Sequence, residues 1–173
     1  MTYGPVESIS SDHVTVEFDC GSEAQTNSLR KHALQAHRTD TSKVRVVTRV
    51  GDPRVIGYYA LAAGSVEVAN VPIRIAKGTA RYHVPVVILT RLGVDRGEQG
   101  RGLGRALLKD VLLRVATASE VLGARALLIH CEDETARAFY QHFGEFQESP
   151  TDPLHLYLLM SDLRKTLGGE EPG

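Results

Sequence analysis

Apolar and polar residues alternate in Val14-Thr-Val-Glu-Phe18, which predicts a first, half-buried strand. Ser22-Glu-Ala-Gln25 has the form of a capping box and opens a predicted helix to about Ala36, with Leu29, Ala33 and Leu34 turned inward. Alternation returns in Val44–Val50, and Gly51-Asp-Pro-Arg54 then turns the chain into Val55–Leu61, which predicts a hairpin. Residues 70–83 follow neither period and are basic, so they read as a loop over the sheet. The nearly continuous apolar run Val84–Val94 predicts a buried strand. Pro85 stands near its start, where a missing N–H is tolerated, and Gly93 near its end permits a bulge or a close backbone approach. Helical spacing over 101–122 puts Leu103, Ala106, Leu107, Val111 and Val115 on one face, with Gly123 as the stop. A short buried strand is expected at Ala126–Ile129. A helix follows at Glu134–Phe143, with Ala136, Phe139, Tyr140 and Phe143 inward. His155–Met160 reads as a last strand and Gly168–Gly173 as a polar tail. Hairpins first and βαβ units later predict a mixed α/β sheet flanked by helices.

A length of 173 residues with 42% apolar content fits one domain, residues 1–173, that buries its own core. The chain has no apolar run of about 18 residues, and Met1-Thr-Tyr-Gly-Pro-Val lacks a signal pattern. A cytoplasmic protein without membrane contact is therefore expected. Cys20 and Cys131 are far apart and the seven histidines are scattered, so neither a disulfide framework nor a metal site is expected. His130, beside Cys131 at a strand end, reads as structural.

The net charge of −1 conceals an asymmetry. Between Pro72 and Arg105, Arg74, Lys77, Arg81, Arg91, Arg96, Arg101 and Arg105 face only Asp95 and Glu98. This local +5 leaves −6 for the rest of the chain. Such an excess fits either a solvated basic face or a polyanionic ligand.

The basic segment ends in Gln99-Gly-Arg-Gly-Leu-Gly104, placed between the predicted strand and the long helix. Glycines allow a sharp turn and close approach of a ligand to the backbone, and the first N–H groups of a helix lack intrahelical acceptors. The turn is therefore either a plain connection or a pyrophosphate site, with Arg96, Arg101 and Arg105 favouring an anion. Two common nucleotide motifs are excluded. A P-loop needs Gly-Lys followed by Ser or Thr. A dinucleotide fingerprint needs Gly-x-Gly-x-x-Gly in an early βαβ unit.

Gln-x-x-Gly-x-Gly in this setting resembles the acetyl-CoA loop of GNAT-type N-acetyltransferases. The resemblance implies the GNAT fold, with a mixed, mostly antiparallel central sheet, and acetyl-CoA as the donor. It assigns the pantetheine arm to the backbone of Leu92 and Val94. The pyrophosphate falls to Arg96 and to the turn Gln99, Gly100, Arg101, Gly102, Leu103, Gly104 and Arg105. A second segment, Asp133-Glu-Thr-Ala-Arg-Ala-Phe-Tyr140-Gln-His-Phe-Gly144, is similar to the family's Asn-x-x-Ala-x-x-Phe/Leu-Tyr-x-x-x-Gly-Phe. Asp133 stands where the family has Asn and is expected at the cofactor, and Glu145 separates Gly144 from Phe146.

Spacing alone leaves Tyr140 either a core aromatic or a proton donor to the departing sulfur, for which a phenol of pKa near 10 is suited. The resemblance selects the donor. Val84–Leu92 contains no carboxylate, although many GNAT enzymes carry a Glu base on that strand. Deprotonating a lysine at pH 7 costs roughly 4–5 kcal/mol, an α-amine only about 1. A site without a base thus favours α-amines.

A narrower resemblance rests on Gly57-Tyr-Tyr-Ala-Leu-Ala62, Val84–Asp95, Asp133-Glu134 and Ser149-Pro-Thr-Asp-Pro153, which look like the GNAT toxins of toxin–antitoxin pairs. It implies acetylation of aminoacyl-tRNA, inhibition of translation, a small ribbon-helix-helix antitoxin and a homodimer. Arg74, Lys77, Arg81 and Arg91 would then contact tRNA phosphates. The alternatives are an acetyltransferase for small molecules or protein N-termini, and a CoA-binding regulatory module in which Tyr140 is structural.

Overall fold

A computed structural model of the chain describes residues 2–78 and 83–168. Seven strands follow one another in the hydrogen-bonded order β1-β2-β3-β4-β5-β7-β6. They are β1 (Glu7–Ser8), β2 (Lys43–Thr48), β3 (Val55–Glu67), β4 (His83–Val94), β5 (Ala126–His130), β6 (Gln147–Glu148) and β7 (His155–Leu159). The helices are α1 (Glu23–Asn27), α2 (Ala33–Arg38), α3 (Ile73–Ala76), α4 (Leu103–Ala118), α5 (Glu134–Gln141) and α6 (Met160–Gly168). This is the mixed α/β architecture expected of the sequence. The chain forms two compact units, Met1–Ala62 with Thr90–Val111, and Ala63–Leu89 with Leu112–Gly173.

In the first unit β2 and β3 form the predicted antiparallel hairpin, with Val44 opposite Ala60 and Val46 opposite Tyr58. A register shift falls between Val47 and Thr48. The core gathers Phe18, Leu29, Ala33, Val44, Val46, Val55 and Tyr58, all buried. Gly57 lies where α4 meets the sheet. A Cβ there would stand 3.0 Å from both Leu107 and Val47, so the first turns of α4 seat directly on β3.

Val14–Phe18 is not a strand. Val14 makes a single bridge to Arg54, the Phe18 N–H turns back to the Thr15 carbonyl, and Val16 is 70% exposed. Only Phe18 reaches the core, because five residues without a ladder partner cannot hold an extended conformation. The predicted helix from Ser22 begins as expected, with the Ser22 hydroxyl accepting from the Gln25 N–H at 3.2 Å. It is interrupted by a π-helical turn at Ser28–His32 and resumes as α2. Leu29 and Ala33 are buried and Leu34 packs against them, as the periodicity predicts.

In the second unit β4 and β5 run parallel, with Val86 opposite Ala126, and β5 and β7 run antiparallel. Val71, Ile75, Val84, Val86, Leu128 and Tyr157 form its core. The segment read as a loop over 70–83 contains α3, whose Ile75 is fully buried, while residues 79–82 lie outside the described residues. Helix α4 ends at Ala118, short of Gly123, and the Leu122 N–H closes back on the Ala118 carbonyl. Ala106 is exposed, whereas Leu108 and Leu112 are buried on the face that also carries Leu107, Val111 and Val115. Met160 opens α6 instead of ending the last strand, and Leu163 buries that helix. No helix among the described residues is long and apolar enough to cross a membrane.

Candidate active site

The glycine turn is built in layers. Where β4 ends, the Asp95 carboxylate accepts from the Gly97 and Asp19 N–H groups, both at 3.0 Å, and so caps the short 3-10 turn Arg96–Glu98. The Gln99 side chain turns inward and donates to the carbonyls of Cys20 at 3.0 Å and Val94 at 2.9 Å. Gln99 therefore braces the turn with its side chain. The buried Leu103 side chain anchors the first turn of α4. Gly93, just before, allows a close approach as predicted, since a Cβ there would lie 3.3 Å from Cys20, Gln25 and Tyr58.

Above these braces the turn is open. Gly100 and Gly102 have φ of +79° and +83°, a conformation glycine adopts without strain. Nothing lies within 4 Å of a Cβ built at either residue. Leu103 and Gly104 open the helix, and the first N–H groups of a helix have no intrahelical acceptor. Arg96, Arg101 and Arg105 are exposed around them. Arg96 lies 3.4 Å from Asp19 and Arg101 lies 3.7 Å from Glu98. An open backbone, helix N–H donors and exposed cations fit a pyrophosphate. Leu92 and Val94 are half-buried at the end of β4.

The second segment lies in the other unit. Asp133 caps α5, its Oδ1 accepting from the Ala136 N–H at 2.8 Å. An Asn could make the same bond, so the substitution preserves the helix start. Tyr140 is the one of the four residues predicted inward that is fully buried, at 5% exposure. Its ring packs edge-on against Phe139 at 5.2 Å, and its phenol makes no hydrogen bond among the described residues. Burial, with the charges that Cys131 and Glu132 carry when ionised, pushes the phenol well above its ordinary pKa of 10. The Cys131 thiol is likewise pushed up to about 11, chiefly by burial. His130 stacks on His155 with ring centroids 4.3 Å apart, in keeping with a structural role.

Of the predicted phosphate contacts, Arg74, Lys77 and Arg91 are among the described residues. Arg74 is held in a two-pronged pair by Asp162, so its charge is already matched. Lys77 is exposed at the end of α3 and its carbonyl accepts from Arg125 at 2.9 Å. Arg91 is half-buried on β4, and Arg81 lies outside the described residues. A basic surface missed in the sequence stands elsewhere. Arg30, Lys31 and Arg38 are exposed on the π turn and α2, make no ion pair among the described residues, and have His32 beside them. The signal was present, because Asp40 is the sole acid between Ala24 and Gly51. It was masked by the larger basic count downstream.

A family model described as an acetyltransferase (GNAT) domain matches residues 52–146. The tRNA-acetylating toxin of Mycobacterium tuberculosis is 48% identical over 157 residues, spanning 91% of this chain and 92% of the relative. Among solved structures, AtaT complexed with acetyl-methionyl-tRNAfMet matches with a TM-score of 0.85 and 27% identity, covering 94% of this chain and 98% of that one. A tyrosine-to-phenylalanine variant of the AtaT toxin, bound to the C-terminus of the antitoxin AtaR and acetyl-CoA, matches with a TM-score of 0.79 and 27% identity. The match covers 95% of this chain and 97% of that one. The glycine turn, the Tyr140 helix and these relatives agree, and the chain belongs to the GNAT acetyltransferase family.

Proposed function

We propose that this chain transfers the acetyl group of acetyl-CoA to the α-amine of an amino acid esterified to tRNA, and thereby acts as a toxin that stops translation. The observation that carries this reading is the 48% identity, over nine-tenths of both chains, to a relative named for tRNA acetylation. Acetyl-CoA supplies the activated thioester carbonyl. The turn Gly100–Arg105, with Arg96 and Arg101, holds the pyrophosphate, and the backbone of Leu92 and Val94 guides the pantetheine arm. Gln99 keeps the turn in shape. Asp133 serves the site by fixing the start of α5.

As the C–S bond breaks, the departing sulfur takes the phenolic proton of Tyr140, and the proton that nitrogen sheds on becoming an amide restores that of Tyr140. Its raised pKa keeps the proton in place at every physiological pH, and no hydrogen bond to a described residue competes for it. In apolar surroundings such a donor interacts strongly with developing negative charge. β4 carries no carboxylate to take a proton from the amine, so the acceptor must arrive as a neutral amine. An α-amine meets that demand at a cost of about 1 kcal/mol at pH 7.

The exposed Arg30, Lys31 and Arg38, with Lys77 as a lesser contributor, offer cations to tRNA phosphates. Arg74 is assigned instead to the fold, because Asp162 already matches it. The antitoxin bound to AtaT supports an antitoxin for this chain, which we assign to the ribbon-helix-helix class. The toxin is assigned as a homodimer of single-domain chains acting in the cytoplasm, where charged tRNA is found. Addition of the purified protein and acetyl-CoA to a cell-free translation reaction tests the reading. Protein synthesis should stop, and it should continue with Tyr140→Phe. Undiminished synthesis with active wild-type enzyme would overturn the toxin assignment.

A further inference from the structure

Glu98 stands immediately before the brace residue Gln99, yet only 1% of its surface is exposed. A buried carboxylate is costly unless charges and donors surround it. Three separate segments of the first unit supply them. The Tyr3 hydroxyl donates to Oε2 at 2.7 Å, the Arg49 guanidinium pairs with Oε1, and Arg101 lies 3.7 Å from Oε2. Tyr3 is itself bridged to Arg49 at the end of the β2 ladder, so both partners come from the sheet edge. Arg101, by contrast, belongs to the open glycine turn and is 55% exposed.

We infer that Glu98 is the positioning residue of the pyrophosphate turn, tying it to the sheet edge and aiming Arg101 at the ligand. The inference rests on the reading of acetyl-CoA as donor. Its physical basis is the count of charges. One carboxylate faces two guanidinium groups, so Arg101 can leave Glu98 for a phosphate while Arg49 still compensates the buried charge. A single Glu–Arg pair could not do this, because binding would strand the carboxylate. Glu98 thus acts on the phosphate end of the donor alone, without touching it.

The test compares acetyl-CoA with acetyl-pantetheine, a donor that lacks every phosphate. Glu98→Gln keeps the shape of the side chain, and Arg49, 27% exposed, remains open to hydration. The variant should raise KM and Kd for acetyl-CoA about tenfold, as loss of one charge-assisted contact does, with kcat within about twofold. KM for acetyl-pantetheine should not change. In an Arg101→Gln background, Glu98→Gln should add little, since the two act in series. Equal losses with both donors, a fall in kcat, or no change with either would overturn the inference. Should Glu98→Gln fail to fold, Tyr3→Phe removes one anchor only. It should then show the same donor-selective pattern at about two- to threefold, and a donor-independent effect, or none, overturns the inference. Failure of the underlying reading is separate. It would show as wild-type protein that neither binds CoA nor turns over either donor.

Discussion

The turn after β4 keeps its arginines exposed beside carboxylates, while main-chain carbonyls hold Gln99 and the glycines shape the backbone. Tyr140 is held in the opposite way, by apolar burial and ring packing, with its phenol uncommitted among the described residues. A binding element must present charge in a fixed shape to a mobile ligand. A proton donor must instead keep its proton and avoid water. The first task calls for many polar braces, the second for their absence. Each should respond differently to mutation, salt and pH.

The largest effect is expected at the apolar region. Tyr140→Phe keeps the ring and removes the proton, so the transfer rate should fall about 10²–10⁴-fold while CoA affinity, measured by calorimetry, stays nearly constant. The pH profile sharpens this. With the phenol raised above 10 by burial, its protonated, active form persists on the alkaline side. The rate should rise through the α-amine pKa near 8 and remain level to about pH 10. A decline beginning near pH 9 would contradict an apolar, raised phenol.

Gly102→Glu strikes the polar region. It places a strained, anionic side chain in the space left open at φ +83°. CoA affinity should weaken by about a hundredfold or more in a protein that still unfolds cooperatively. Unchanged affinity would show that the turn does not hold the cofactor.

Arg30→Glu with Lys31→Glu should raise KM for charged tRNA about five- to tenfold at physiological salt and flatten its salt dependence, with little change for acetyl-CoA. Arg74→Gln, whose charge Asp162 already matches, should change KM for tRNA by less than about twofold. Reversal of those two outcomes would return the phosphate contacts to the segment around α3.

How much of this was legible in the sequence follows the range of each interaction. The glycine turn, the hairpin and the Tyr140 helix depend on neighbours within a few residues, and all were readable. The pairing of Glu98 with Tyr3 and Arg49, and of Arg74 with Asp162, spans dozens of residues and left no local trace. A tally of basic residues therefore pointed to 72–105, although Arg74 in that segment is matched by Asp162 and Arg30, Lys31 and Arg38 outside it are exposed as well. Gln99 and Asp133 were legible as motif positions but not as braces. Which way a side chain turns depends on the carbonyl or N–H that folding brings to it. Val14–Phe18 failed for the converse reason, a strand pattern to which the fold supplies only the single bridge at Val14.

The central claim is transfer of an acetyl group to the α-amine of aminoacyl-tRNA. It is tested most directly by incubating the protein with radiolabelled acetyl-CoA and charged tRNA, deacylated tRNA or free amino acids. Label should enter charged tRNA alone, and mild alkaline hydrolysis of the ester should release it as N-acetylamino acid. Equal labelling of free amino acids, or label that stays with the tRNA after ester hydrolysis, would contradict the account.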